Sequence, residues 1–403
     1  MQKFEKHSPV VVTEVTTKHE LRQFMQYPNR LYADNPNYIP SFYGDDLSDW
    51  TPGKNPAFDY CEARCWLARR DGEIVGRIGA ILSHKANDKF GTHRMRFSQV
   101  DFVDDSEVSA ALFGTVERWA REKGCDQVHG PLGFTDMDRE GMLVEGFDRR
   151  SLFFTNYNAP YYLEHLTRLG YRKDVDWIEY RITVPEPGGA EAERLHKLSE
   201  FILKRKHLHV ATVHHKSEYG PFVRQVFELV NAAYAPLYGV VELSDEQIER
   251  YANKFIPLVD PDFVCFVVDE QDQLVAFGVT ALDPSVALKH SDGRLFPFGW
   301  AGVLNDLHHS DTLIMLLTAV RPDLQAEGIN AVMMDHVCQS CNRHGVRFAE
   351  TGPMLELNDH ILAQWKRLEK EQHKRRRCFI KDLDHDVNAA NAAAAQTETC
   401  LLY

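Results

Sequence analysis

The chain has no apolar run of the roughly 18 residues that a bilayer-spanning helix needs, and no charged-then-apolar N-terminus of the export type. A cytoplasmic protein is expected. Positive charge is in deficit, 46 Lys and Arg against 59 Asp and Glu for a net charge of -13, which disfavours nonspecific nucleic-acid binding. The eight cysteines are scattered through apolar stretches of a long chain and read as reduced thiols rather than a disulfide frame. Metal motifs are incomplete. Cys338-x-x-Cys341 with His344 lacks a partner motif for a fourth ligand, and Asp136-x-Asp138-x-Glu140-Gly141, which begins like a calcium loop, has Phe147 where a bidentate Glu is required. No metal is expected. Heptad repeats are missing too, and Cys400 to Tyr403 ends in a residue unsuited to a prenylation box.

What is present is enough for two globular cores: 403 residues, 44% hydrophobic and 26% charged. The chain is organised around Leu313 to His344. Leu313 to Leu317, extended by Thr318-Ala319-Val320, is an apolar run of strand length and is expected to be buried on both faces. Pro322 forces a turn, and Gln325-Ala326-Glu327-Gly328-Ile329-Asn330-Ala331 follows. Either Asn330 or the Gly328 turn opens a helix carrying Val332, Met333, His336, Val337 and Cys341. A strand that feeds a glycine-bearing loop and then a helix N-terminus suits an anion, because unpaired backbone N–H groups meet the positive end of the helix dipole.

Elements recur in similar order on both sides of Pro185-Glu186-Pro187-Gly188-Gly189, the sharpest break in composition. The expected organisation is an N-terminal domain over 1–185, a helical connector over 186–206, a C-terminal domain over 207–385 and a disordered tail over 386–403. In the first domain, strands Cys65 to Arg69 and Glu73 to Leu82 flank an Asp71-Gly72 turn, and Asp104-Asp105-Ser106-Glu107 caps a helix running to Lys123. Carboxylates at that helix start satisfy the dipole themselves and repel a pyrophosphate. Tyr32 to Phe58 is irregular and rich in Pro, Asn and aromatics, as in a functional cover. His129 to Phe147, with Asp136, Asp138 and Glu140, reads as an acceptor-binding lid or a wall facing the other domain. Lys374-Arg375-Arg376-Arg377 reads as a solvated hairpin rim.

The strand, the Val320-Arg321-Pro322 exit and Gln325-x-x-Gly328-x-Asn330-Ala331 resemble the acyl-CoA-binding signature of the GNAT superfamily. Asn358 with Leu362 and Trp365 is similar to the family's late helix, where Trp365 replaces its frequent tyrosine. Runs such as Asn35-Pro36-Asn37-Tyr38, Gly130-Pro131-Leu132-Gly133-Phe134 and Gly141 to Phe147 resemble bacterial two-domain GNAT-like proteins of about this length, over most of residues 20–385. The resemblance implies an α+β chain of tandem GNAT-like folds, each a mixed, mostly antiparallel sheet flanked by helices. It implies an N-acyltransferase with an acyl-CoA co-substrate held by Thr318, Ala319, Val320, Gln325 to Ala331, Asn358 and Trp365. The acceptor is a small-molecule or lipid amine, as in bacterial sphingolipid synthesis, with peripheral membrane contact as a corollary. For the proton acceptor the choice stays open between Glu350 at a strand end and His129, Asp136, Asp138 or Glu140 in the glycine-rich loop. Two competing readings are a noncatalytic acyl-CoA-binding protein and an aminoacyl-tRNA-dependent transferase. The oligomeric state is left open.

Overall fold

A computed structural model describes residues 8–383. The expectations for the C-terminal tail and for Cys400 lie outside the described residues. The N-terminal half contributes strands β1 (Val11–Glu14), β2 (Cys61–Arg70), β3 (Glu73–Ser83), β4 (Arg94–Phe102), β5 (Gln127–Gly130), β6 (Met142–Glu145) and β7 (Arg172–Thr183). Its helices are α1 (Lys18–Leu31), α2 (Tyr43–Asp49), α3 (His84–Phe90), α4 (Ser106–Glu122) and α5 (Tyr161–Arg168). Helix α6 (Ala190–Lys206) connects the halves. Beyond it lie β8 (His209–Val210), β9 (Val264–Val268), β10 (Leu274–Leu282), β11 (Thr312–Val320), β12 (Phe348–Glu350), β13 (Met354–Leu355) and β14 (Lys370–Asp382). The accompanying helices are α7 (Gly220–Tyr234), α8 (Asp245–Phe255), α9 (Ser285–His290), α10 (Gly299–His309), α11 (Asn330–His344) and α12 (Asp359–Ala363).

All strands join one mostly antiparallel sheet with the path β1-β2-β3-β4-β5-β14-β7-β12-β11-β10-β9-β8. In its middle the halves exchange their last strands. β14, from the end of the chain, pairs with β5 of the N-terminal half, and β7 pairs with β12 of the C-terminal half. β7 and β14 pair with each other from Ile182↔Lys370 to Arg172↔Ile380. Parallel pairing occurs twice, at equivalent places: Arg94 to Arg96 on Gln127 to His129, and Thr312 to Ile314 on Phe348 to Glu350. In both places the longer strand runs on without its parallel neighbour.

The strand exchange corrects the reading of Lys374 to Arg377 as a solvated rim. Lys374 and Arg376 are fully buried, because β14 is interior and alternate residues share a face. Arg376 is paired with Glu179, which also lies 3.1 Å from Lys374. On the opposite face Arg375 and Arg377 meet Asp176 at 3.2 and 2.8 Å. Burial alone would raise Glu179, yet the Arg376 and Lys374 charges hold it down to about 2.

Helix ends follow sequence chemistry. Thr17 and Glu20 form a capping box on α1, and Ser244 with Gln247 forms another on α8. The segment read as irregular contains α2 and a short 3-10 turn over Pro56–Asp59. Cys338 and Cys341 pack in a core with Val337 and Leu313, while His344 pairs with Asp262 at 2.7 Å.

Candidate functional site

The order of strand, loop and helix expected around Leu313 to His344 is present, with one difference. Only Thr312, Leu313 and Ile314 are buried at the start of β11, whereas Met315, Leu316, Leu317 and Thr318 are half-buried. The reason is topological: β12 stops opposite Ile314, so the rest of β11 keeps only β10 as a ladder partner. The β10–β11 register slips between Val279 and Thr280, leaving Leu316 as the extra residue of a bulge. A wedge therefore opens beside Met315 to Thr318.

At its far end the chain turns through Pro322–Leu324 and reaches α11 over a loop in which Ala326 and Gly328 have φ of 64° and 84°. Gly328 is required twice over. A side chain there would be strained, and its Cβ would stand 2.9 Å from Ile202 Cδ1 on α6. The first turn of α11 begins at Asn330, and no side chain caps it. Gln325 Nε2 donates to the Val320 carbonyl (3.3 Å), and Glu327 is neutralised by Lys206 at 2.7 Å, next to Lys204 and Arg205 in the last turn of α6. Thr318 to Ala331 thus form one contiguous lip. Ala331 and Val332 N–H donate back to the Gly328 and Ile329 carbonyls (both 2.9 Å), and the N–H groups of Gly328, Ile329 and Asn330, which have no partner among the described residues, suit a phosphate group. Asn358 and Trp365 have structural roles. The Asn358 side chain caps α12 by accepting from Ile361 N–H, and Trp365 is buried with its Nε1 3.2 Å from Met354 Sδ.

The glycine-rich loop after β5 reaches the other half, as expected of a wall facing it. Asp138 accepts from the N–H groups of Phe134 (2.8 Å) and Thr135 (3.2 Å) and from Tyr251 Oη on α8 (3.2 Å). Gly133 permits this fold-back, because a Cβ there would lie 2.2 Å from Asp138 Cβ. Met137 packs against the same C-terminal core cluster as Leu316 and Leu317. Asp136 is pushed up to about 6 by burial, and its Oδ1 is buried with no hydrogen-bond partner among the described residues. Burial, reinforced by Asp136, also raises Glu140.

The other proton-acceptor candidates are committed elsewhere. Glu350 lies 3.3 Å from Lys374 and 3.8 Å from His373, within the charged cluster of the central strands. His129 is held down to about 4 by burial, and its Nδ1 meets Tyr238 Oη at 2.9 Å. Tyr238 in turn donates to Asp174 (2.5 Å) and touches Cys378 Sγ (3.6 Å). His129, Asp174 and Cys378 bring ligand atoms within 4.8 Å of one another, with the Tyr238 hydroxyl in contact with all three.

Between the halves lies a partly open cavity of about 90 Å³, lined by Phe42, Asp45, Gln99 and Asp138 from one side and by Tyr251 and Phe255 from the other. Gln99 sits at a positive φ of 46° in β4, and its Oε1 is buried without a partner among the described residues. Sequence reasoning missed the contributions of Tyr251, Lys254 and Asp45 to this cavity. The complementary charge of Asp49 and Lys254, 2.8 Å apart, is not decipherable without knowing that α2 faces α8.

Among solved structures, a tandem GNAT protein from the clavulanic acid biosynthesis pathway aligns over 93% of this chain and 99% of its own, with a TM-score of 0.53 and 13% identity. The chain has the tandem GNAT fold. A GCN5-related N-acetyltransferase from Sphaerobacter thermophilus aligns with a TM-score of 0.50 and 13% identity, covering 93% of this chain and 96% of that one. In sequence, protein YghO of Escherichia coli is 27% identical over 379 residues, 93% of this chain and 95% of the relative. A bacterial ceramide synthase of Caulobacter vibrioides is 28% identical over 300 residues, 73% of this chain and 75% of the relative. No family model matches. No helix among the described residues is long and apolar enough to cross a membrane.

Proposed function

We propose that the protein is an acyl-CoA-dependent N-acyltransferase whose donor site is the C-terminal wedge and whose acceptor enters through the cavity between the halves. The observation that carries this reading is the uncapped start of α11 at the end of a strand that has lost its parallel neighbour. In this reading the pyrophosphate rests on the loop from Gln325 to Asn330, and the pantetheine arm pairs with the free edge of β11. The thioester then lies beside Met315 to Leu317. The amine nitrogen attacks the thioester carbonyl carbon, the C–N bond forms as the C–S bond breaks, and CoA leaves as the thiol after the nitrogen proton passes to a base. Asp136 or Glu140, on the loop whose Met137 packs against the same core cluster as Leu316 and Leu317, is the proposed base.

The acceptor we propose is a long-chain lipid amine. One relative is named a ceramide synthase, and ceramide is the amide of such an amine. Phe296 and Phe298, each 80% exposed, and Trp300 project from the connection into α10. That connection is anchored beside the cavity wall, where Tyr43 N donates to the Gly293 carbonyl (3.0 Å). Exposed aromatic residues of this kind favour a lipid–water interface.

The test is thermal stabilisation by free CoA, acetyl-CoA and palmitoyl-CoA of the wild type and of Gly328→Asp. A ligand at about 100 times its Kd adds roughly 2.7 kcal/mol to the folded state. Loss of that shift in the variant supports the site. No shift in the wild type with any thioester at millimolar concentration overturns the reading.

A further inference from the structure

The C-terminal half contains a second pocket, of about 60 Å³ and partly open to solvent, beneath α7 and α8 and against β9 to β11. Its wall includes Tyr219, Val226, Phe227, Phe255, Val279 and Leu317, and no charged residue lines it. An apolar wall of this kind, left partly open to solvent, gains when hydrocarbon covers it. The N-terminal half shows what filling looks like. There Trp50 lies on β3 so closely that a Cβ at Gly79 would stand 2.5 Å from its ring, and Phe134 meets Trp50 edge to face at 5.1 Å between centroids. Under α7 and α8 the aromatics Tyr219, Phe227, Phe255 and Phe266 line the pocket, and among the described residues none fills it.

Position relates the space to the transfer site. Leu317 belongs to β11, three residues beyond the last residue paired with β12, and faces Val279 across the bulge. Phe255 is shared with the cavity between the halves. The space therefore begins where the donor's acyl carbon lies in the reading above and ends away from the polar loop that holds phosphate. An ammonium or hydroxyl group buried there would find only the Tyr219 hydroxyl. A hydrocarbon chain loses nothing.

We infer that this space receives the hydrocarbon chain of the acyl donor and sets the preferred chain length. The inference rests on the acyl-CoA reading proposed above. It assigns the two cavities to two substrates, the acyl chain beneath α7 and α8 and the acceptor between the halves.

The experiment titrates the full-length protein with free CoA, acetyl-, octanoyl-, lauroyl- and palmitoyl-CoA, below their micelle-forming concentrations, and repeats the series with Val226→Phe and Ala252→Phe. These two variants fill the space from different helices. In the wild type, affinity should rise about fourfold per methylene until the space is full. Both variants should keep the wild-type affinity for free CoA and acetyl-CoA, which also reports that they fold, and lose most of the gain with the longer chains. Equal wild-type affinity for acetyl- and palmitoyl-CoA overturns the inference and leaves the donor site standing. Undiminished long-chain gain in a variant that binds free CoA normally also overturns it. If the wild type binds none of the five ligands, the donor reading fails and the inference falls with it.

Discussion

In the N-terminal half, the helix after the splayed strand is closed by Asp105, whose carboxylate accepts from Glu107 N–H (2.8 Å) and Val108 N–H (3.3 Å) and is itself clamped by Arg70. In the C-terminal half, the same corner has no side-chain cap, and a glycine at φ 84° precedes the helix. The spaces behind the two corners differ in the same sense. The N-terminal wedge is narrowed by the buried Arg77–Asp101 pair (2.7 Å) and by Tyr162, whose hydroxyl meets Tyr32 and the Phe102 N–H, both at 2.7 Å, and it keeps only a small, mostly polar pocket walled by Arg77, Gln99 and Asp101. The C-terminal wedge has half-buried Leu316 and Leu317 beside open space. One copy of a fold thus keeps only a small polar pocket beside its splayed strand and lends its surface, the loop from Pro131 to Gly141, to the other copy. The exchange of β7 and β14 ties the two together, so this division of labour does not require the halves to be stable separately.

The largest expected effect breaks that tie. Glu179→Gln leaves Arg376 buried without its counter-charge and Lys374 with only Glu350, which costs about 3 to 5 kcal/mol. Because β14 closes the N-terminal sheet and β7 the C-terminal one, urea unfolding should remain a single transition at a lower midpoint. Two transitions, only one of them shifted, would show that the halves fold independently. The same cluster gives an acid dependence. Glu179 is depressed below the ordinary carboxylate value of about 4.3, so its contribution is complete above that value and is lost as pH falls toward about 2.

Next comes the loan of chemistry between halves. Asp136→Asn should lower the acyl-transfer rate about 10²- to 10⁴-fold, the usual span for a general base, while free CoA affinity stays unchanged. Its carboxyl is raised to about 6, so the rate should climb with pH through that value. Stability should move the opposite way. The folded state holds the proton more tightly than the unfolded chain, so protonation between about 6 and 4 stabilises it. A wild-type rate profile flat through pH 6, with Glu140→Gln more damaging than Asp136→Asn, would move the role to Glu140.

Much of this comparison was legible in the sequence because it is local. The Gln325 to Ala331 loop, the Asp105 cap and the Asp71-Gly72 hairpin each depend on residues within a few positions of one another. The strand exchange was not legible, since alternation within β7 and β14 says which face is buried and not which strand lies alongside. One signal was present. Asp174, Asp176 and Glu179 in one strand mirror Lys374 to Arg377 in the other, and two oppositely charged strands in a chain of mixed charge are natural neighbours. The burial of Lys374 and Arg376 follows from that pairing alone. Helices α9 and α10, and both cavities, depend on how helices distant in sequence settle on the sheet, and no short motif announces them.

The smallest effect tests the comparison at its origin. If Asp105 only closes a helix, Asp105→Ala should cost about 1 kcal/mol, the usual value of an N-cap, partly offset because Arg70 keeps Glu107 as a partner at 2.7 Å. It should not create a second CoA site, since Tyr162 and the Arg77–Asp101 pair still narrow the wedge behind the corner to a small polar pocket. Binding stoichiometry for free CoA should therefore stay at one per chain in the variant. A stoichiometry of two would mean that the cap alone separates the halves, and that narrowing the N-terminal wedge contributes nothing to excluding the nucleotide.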